Sequence, residues 1–161
     1  MPLINIEDIF TYLAKDQTIA ALDLGTKTIG LAVSDLSLTF ANPRSLLQRK
    51  KFSQDIIILK QWLTQENVGA VAIGLPLNMD GTSGARVQAT KSFVSNFIKI
   101  IDIPIFFWDE RLSTVAAERT LLEYDLSRKK RKLHIDSAAA SFILQGVLDR
   151  ISRLSNFSQN Q

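Results

Sequence analysis

The chain alternates between short, almost unbroken apolar runs and stretches where apolar residues recur every three or four positions. Ile19 to Leu24 and Ile29 to Val33 are runs of the first kind. They predict two strands covered on both faces, joined by a tight turn in which Gly25 supplies a positive φ. Gly69 to Ile73 predicts a buried parallel strand. Ile105 to Trp108, opened by Pro104, predicts another. Thr39 to Leu47 predicts a further strand, entered past Asn42-Pro43, where proline favours an edge or a strand start.

Between these runs the spacing is helical. Leu3, Ile6, Ile9, Phe10 and Leu13 predict a short amphipathic helix within Leu3 to Lys15. Ser53 reads as the N-cap of a helix traced by Ile56, Ile57, Leu59, Lys60 and Leu63 to about Glu66. A loop rich in turn residues, Gly74 to Gly84, leads to a helix from about Ala85 to Ile100. Its inner face carries Val87, Phe93, Val94, Phe97 and Ile98. Leu112 to Glu123 is helical again, Ser127 to His134 is a basic loop, and Ile135 to about Leu154 is the last long helix. The polar tail Ser155 to Gln161 is expected to fray. The order implies an α/β domain: a five-stranded mixed sheet, three antiparallel strands and then two parallel ones, with helices on both faces.

Composition narrows the class. A length of 161 residues, 46% hydrophobic and 22% charged, suits one globular domain. No run is long enough to span a membrane, and no secretory leader is visible. The chain has no cysteine, which excludes thiolate metal sites and fits a reducing, cytoplasmic setting. A formal charge of +3 and a pI near 9.3 fit a nucleic-acid binder without requiring one.

The chemistry lies in acids at element ends. Asp23 closes the first strand, Asp109 and Glu110 close the last, and Asp136 opens the last helix. Open α/β sheets form sites beyond the carboxyl ends of their strands. Asp23 is either a turn residue bonding the backbone of Gly25 to Lys27 or a ligand for a metal or phosphate. Asp136 is either an N-cap before Ser-Ala-Ala-Ala or the polar member of a stripe with Ala140, Ile143 and Val147. Asp109 and Glu110 point to opposite faces if both are in the strand, and alternation does not choose between them. Acids converging without matching bases need cations. Oxygen donors point to Mg²⁺ or Mn²⁺. Two such ions, about 3.5–4 Å apart, suit phosphodiester hydrolysis by water, with no protein nucleophile.

Four segments in order carry a specific resemblance. Asp23-Leu-Gly-Thr-Lys-Thr-Ile-Gly-Leu-Ala-Val-Ser-Asp35, Gly74-Leu-Pro-Leu-Asn-Met-Asp-Gly81, Asp109-Glu-Arg-Leu-Ser-Thr114 and Asp136-Ser-Ala-Ala-Ala-Ser-Phe-Ile-Leu-Gln145 resemble the YqgF family, also called RuvX. That family is associated with pre-16S ribosomal RNA processing and with Holliday-junction resolution. The resemblance runs roughly from Thr18 to Arg150. It implies an RNase H-like fold over 18–154, with 1–17 as a helical extension and 155–161 as a flexible tail. It also implies that Asp23, Glu110 and Asp136 are the acidic catalytic, metal-holding residues, which selects Glu110 over Asp109. The chain departs from the family pattern at Thr28, where an Arg is usual, and at Ser113-Thr114, where Thr-Thr is common.

Cations complete the picture. Arg128, Lys129, Lys130, Arg131 and Lys132 form an unbroken run leading into Asp136, either a solvated connector or a flap for polyanions. Lys27 and Arg111 flank the acids and read as phosphate contacts or as local ion-pair partners. Arg49-Lys50-Lys51 reads as solvated surface, His134 as a surface residue, and Trp62 and Trp108 as core. The expected partner is structured RNA, namely ribosomal precursor within its particles, or branched DNA. Two other functions compete. Asp-Leu-Gly-Thr also resembles a phosphate loop of actin-like ATPases, which need two such domains. A non-catalytic nucleic-acid binder would gain nothing from three acids beside phosphates.

Overall fold

The computed structural model of the chain describes residues 3–78, 80–81, 84–112 and 137–159, with side chains in the last helix described to Ser155. Its centre is a mixed sheet. Strands β1 (Thr18–Leu24), β2 (Thr28–Ser34), β3 (Ala41–Pro43), β4 (Leu47–Gln48), β5 (Val68–Leu75) and β6 (Ile105–Asp109) lie in the order β3-β2-β1-β5-β6, with β4 also paired to β2. β1–β2 and the β2 pairings with β3 and β4 are antiparallel; β1–β5 and β5–β6 are parallel. Helices α2 (Phe52–Gln65) and α3 (Ala85–Phe97) cover one face, and α4 (Ala138–Gln159) covers the other.

The expected α/β sheet is present, with three corrections along it. The single strand expected over Thr39 to Leu47 is two short ones. Pro43 has no N–H to continue a ladder, and Arg44 turns its own N–H onto the Leu31 carbonyl at 2.8 Å. Gly25 does not take a positive φ; among described glycines only Gly81 does, at 87°. Gly25 is needed for a close approach instead. Its N–H donates to the Thr28 carbonyl at 2.9 Å, and a β-carbon on it would lie 2.9 Å from that same oxygen. Ser53 is not a cap: α2 starts at Phe52, and the buried Asp55 carboxylate reaches back to the Lys50 N–H at 3.1 and 3.2 Å.

The ends differ as well. Leu3 and Ile4 are not helical. Leu3 bridges Ile105 in parallel, and the Ile4 N–H donates to the Ile105 carbonyl at 2.8 Å, so these residues cover the β6 edge. Only Ile6–Asp8, a 3-10 turn, and α1 (Ile9–Tyr12) are helical. At the other end α4 continues through Gln159, where a frayed tail was expected from Ser155. At the β3 edge, Gln145 of α4 accepts from the Ala41 N–H at 3.1 Å and donates to the Thr39 carbonyl at 2.9 Å. The expected helix over Leu112 to Glu123 lies outside the described residues beyond Leu112, and the basic loop Ser127 to His134 lies wholly outside them.

Two cores result from alternation along the same strands. Toward α2 and α3 point Leu22, Leu24, Ile29, Leu31, Val33, Val71, Ile73 and Ile105, packed with Leu59, Leu63, Phe93 and Phe97. Toward α4 point Ala21, Ala32, Ala70 and Ala72 beside Phe106 and Trp108. The predicted stripe Ala140, Ile143 and Val147 is fully buried there.

Candidate active site

Asp23 is the last-but-one residue of β1 and follows Ile19 and Ala21 on the α4 face. Its cross-strand partner is Gly30. A β-carbon at Gly30 would stand 3.3 Å from the Asp23 β-carbon and 3.4 Å from those of Ser137 and Ala140. The missing side chain therefore brings the start of α4 down beside Asp23. That start is pinned: the Ser137 N–H donates to the Arg44 carbonyl at 3.0 Å, and the Ser137 carbonyl accepts the Ser141 N–H at 3.0 Å.

A second glycine clears the other side. Leu22 faces Ile73 across β1–β5, so Asp23 and Gly74 come one step further along parallel strands and share a face. A β-carbon at Gly74 would lie 2.6 Å from Ile143 Cδ1 and 3.5 Å from the Glu110 carboxyl carbon. Neighbouring strands are about 4.8 Å apart. The Glu110 carboxyl thus stands over the strand adjacent to that of Asp23, on the same face. β6 ends at Asp109, and Glu110 opens a 3-10 turn through Leu112.

Asp109 is engaged elsewhere. Its carboxylate accepts from Arg111 Nη2 at 2.6 Å, from Nε at 3.0 and 3.1 Å, and from the Arg111 backbone N–H at 2.9 Å. Those bonds hold its carboxyl below the ordinary carboxylate range and raise the Arg111 guanidinium. Arg111 also lies against the loop after β5: a β-carbon at Gly81 would meet its Nη1 at 3.2 Å. Lys27 is exposed in the β1–β2 turn. Asp136, Arg128, Lys129, Lys130, Arg131, Lys132 and His134 lie outside the described residues. Among the described residues no group of three His, Asp or Glu side chains is gathered as a metal site.

Two features escaped the sequence reading. Arg49 is not simply solvated: its Nη1 donates to the Gly25 carbonyl at 2.6 Å and its guanidinium lies 5.7 Å over the Phe93 ring. Only a long-range contact reveals this, and no local pattern signals it. Ser137 is 2% exposed, and its Oγ has no hydrogen-bond partner among the described residues; Trp108 Nε1 is in the same position on the same face. A serine after an acid at a helix start was visible in the sequence, but its burial was not.

Comparison with known proteins follows the same lines. A family model described as "RuvX: Holliday junction resolvase" matches residues 17–150. "Putative pre-16S rRNA nuclease" of Bartonella quintana (strain Toulouse) is 62% identical over 154 residues, covering 96% of this chain and 97% of that protein. A protein of the same name from Brucella anthropi is 61% identical over 151 residues, covering 94% and 92%. Among solved structures, T. thermophilus RuvC in complex with Holliday junction substrate superposes with a TM-score of 0.54 at 13% identity, covering 84% of this chain and 96% of that one. That likeness establishes the RNase H-like fold.

Proposed function

The chain belongs to the RuvX family, and we propose that it is a divalent-metal-dependent nuclease acting on the 5′ end of pre-16S ribosomal RNA. The observation that carries this is the shared face: Asp23 and the Glu110 carboxyl stand on the α4 side of the sheet, at the ends of β1 and β6, flanked by Gly30 and Gly74. The names of the relatives, which refer to pre-16S rRNA, support this choice of substrate.

The residues present suit a hard cation. The donors are carboxylate oxygens, and the two glycines leave room where side chains would fill the space. The buried Ser137 hydroxyl, unpartnered among the described residues, is a further oxygen beside Asp23. Asp23 and Glu110 would hold Mg²⁺ or Mn²⁺ together with Asp136, the chain neighbour of Ser137. The bound cations would supply Lewis-acid activation of the scissile phosphate and charge neutralisation. The protein's own part is placement. Ala140 and Ile143 wall the acids with apolar surface, and the alanines beneath let that wall come close. Arg111, already neutralised by Asp109, acts by fixing the turn that carries Glu110. Lys27 and the cations of 128–132 meet the flanking phosphates. The absence of cysteine suits the cytoplasm.

Holliday-junction cleavage is the second reading, favoured by the description of the family model. One assay separates them. Purified protein with Mg²⁺ or Mn²⁺ is offered precursor ribosomal RNA, four-way DNA junctions and ATP in parallel. Trimming of the RNA is expected. Cleavage of junctions alone would transfer the reading to DNA, and turnover of ATP alone would overturn it.

A further inference from the structure

Behind the β1–β2 turn, on the side away from Asp23, is a cleft of about 60 Å³ lined by Leu24, Gly25, Thr26, Arg49, Arg86 and Thr90 with their neighbours Ala89 and Phe93. Two guanidiniums share it, and no carboxylate lines it. Arg49 is fixed by the Gly25 carbonyl and by the Phe93 ring. Arg86 is exposed and reaches the Leu24 carbonyl only at 3.5 Å. Among the described residues neither arginine has an ion-pair partner. The placement of Arg86 also works against the helix that carries it. It lies in the first turn of α3, where the macrodipole disfavours a cation, and no acid stands in that turn to offset it. Two cations face one acid-free cleft, one of them in the first turn of a helix, so an anion between them would be favoured by both charges and by the helix end.

We infer that Arg49 and Arg86 form a phosphate-binding site for the substrate backbone, on the opposite side of the β1–β2 turn from the acids. The inference rests on the nuclease reading and extends it. A strand held here crosses the turn, past Lys27, so that its phosphates contact both sides of the sheet end. Arg49, preset by its carbonyl and its ring, presents its remaining donors at little entropic cost. Arg86 is free to swing onto the phosphate. The ligand chemistry is a phosphodiester, common to RNA and DNA.

The test is binding by the full-length protein in EDTA, where metal-dependent cleavage is off. The probes are a fluorescein-labelled single-stranded RNA and a labelled four-way DNA junction, each titrated across a salt series. Arg86→Glu is the main variant, because Arg86 is exposed and its replacement leaves the cores intact. Lys60→Glu, on the exposed face of α2, is the control for a general loss of positive charge. The expected result is a loss of affinity of tenfold or so for Arg86→Glu. Its log–log salt slope should be shallower by about one unit, with Lys60→Glu close to parent. Arg86→Lys should restore most of the affinity. Equal affinity and slope for parent and Arg86→Glu would overturn the site while leaving the nuclease reading intact. Equal losses for Arg86→Glu and Lys60→Glu would do the same. A parent that binds neither probe would overturn the nuclease reading, and this site with it.

Discussion

Under α2 and α3 the sheet presents Leu22, Leu24, Ile29, Leu31, Val71 and Ile73; under α4 the same strands present Ala21, Ala32, Ala70 and Ala72, ending in Gly30 and Gly74. One face is filled by its own bulk, and its helices rest on top of large side chains. The other carries alanines and glycines over β1, β2 and β5, with bulk only at Ile19 and on β6 at Phe106 and Trp108, so over those central strands α4 supplies the bulk and comes down onto the backbone. The difference matters at the carboxyl end. Only on the α4 face can a helix start stand beside a strand-borne carboxylate, within van der Waals reach of a missing β-carbon. Both faces bury a core, but only the α4 face also sets the placement of the acids, although every strand contributes to both.

Substitutions on the two faces should therefore fail in different ways. The largest effect is expected from Asp23→Asn. Cleavage should fall by about 10³-fold or more, equivalent to ~4 kcal/mol of barrier, while the melt in EDTA shows no clear drop. A clear drop in that melt would mean that Asp23 is structural. On the filled face, Ile73→Ala should cost about 2–5 kcal/mol in urea unfolding, with specific activity of the folded fraction nearly unchanged. One residue along, on the α4 face, Gly74→Val should cost less stability, about 1–3 kcal/mol, but more activity, since it pushes on Ile143 and the Glu110 carboxyl together. Gly74→Ala should be milder, because the contact at 2.6 Å is with the far end of the Ile143 side chain. Loss of activity from Ile73→Ala exceeding that from Gly74→Val would dissolve the division of labour.

Smaller effects sharpen it. Ser137→Ala removes a buried hydroxyl unpartnered among the described residues, so the metal-free protein should melt at the same temperature or higher, by up to ~1 kcal/mol. The upward shift of the melt on adding Mn²⁺ should shrink. An unchanged shift would detach Ser137 from the acids. The smallest effect is a pH dependence. Asp109 is held below its ordinary value of 3.8, chiefly by the side-chain hydrogen bonds from Arg111. Its contribution is then full above that value and lost as pH falls through the lower, folded-state value. Asp109→Ala should melt slightly below the parent at pH 7, with the gap closing below about pH 3.8. A gap that persists there would mean that packing, not charge, anchors the turn.

The elements that were legible are those whose signal is local. β1, β2 and β5 are apolar on both faces, and the Ala140–Ile143–Val147 stripe is helical in spacing, so sheet and final helix could be read from the residues. What escaped depends on distant partners. The split of the third strand follows from Arg44 bonding Leu31, and the start of α2 is at Phe52, with Asp55 bonding back to the Lys50 N–H, rather than at a Ser53 cap. Leu3 has helical spacing with Ile6, yet it pairs with Ile105, a hundred residues away in sequence and adjacent in space. Alternation could not choose between Asp109 and Glu110 because the strand stops between them. Family resemblance chose Glu110, and its carboxyl stands over Gly74 while Asp109 is tied to Arg111. Asp136 and the cationic run 128–132 lie outside the described residues, so their roles rest on the sequence.

The two ends of the sheet have a further consequence. An exposed strand edge is a template on which another copy's backbone can grow. Here the outer edge of β6 is taken at its start, where the Ile4 N–H bonds the Ile105 carbonyl, and on β3 a side-chain amide, Gln145, occupies the place of the next strand's peptide. A glutamine in that position satisfies the backbone without extending the ladder. Copies of this chain crowded along one polyanion would be held nearby at high local concentration, the condition under which open edges polymerise. With Gln145 replaced by alanine, the Ala41 N–H and Thr39 carbonyl would lose that partner and stand open to the backbone of another copy.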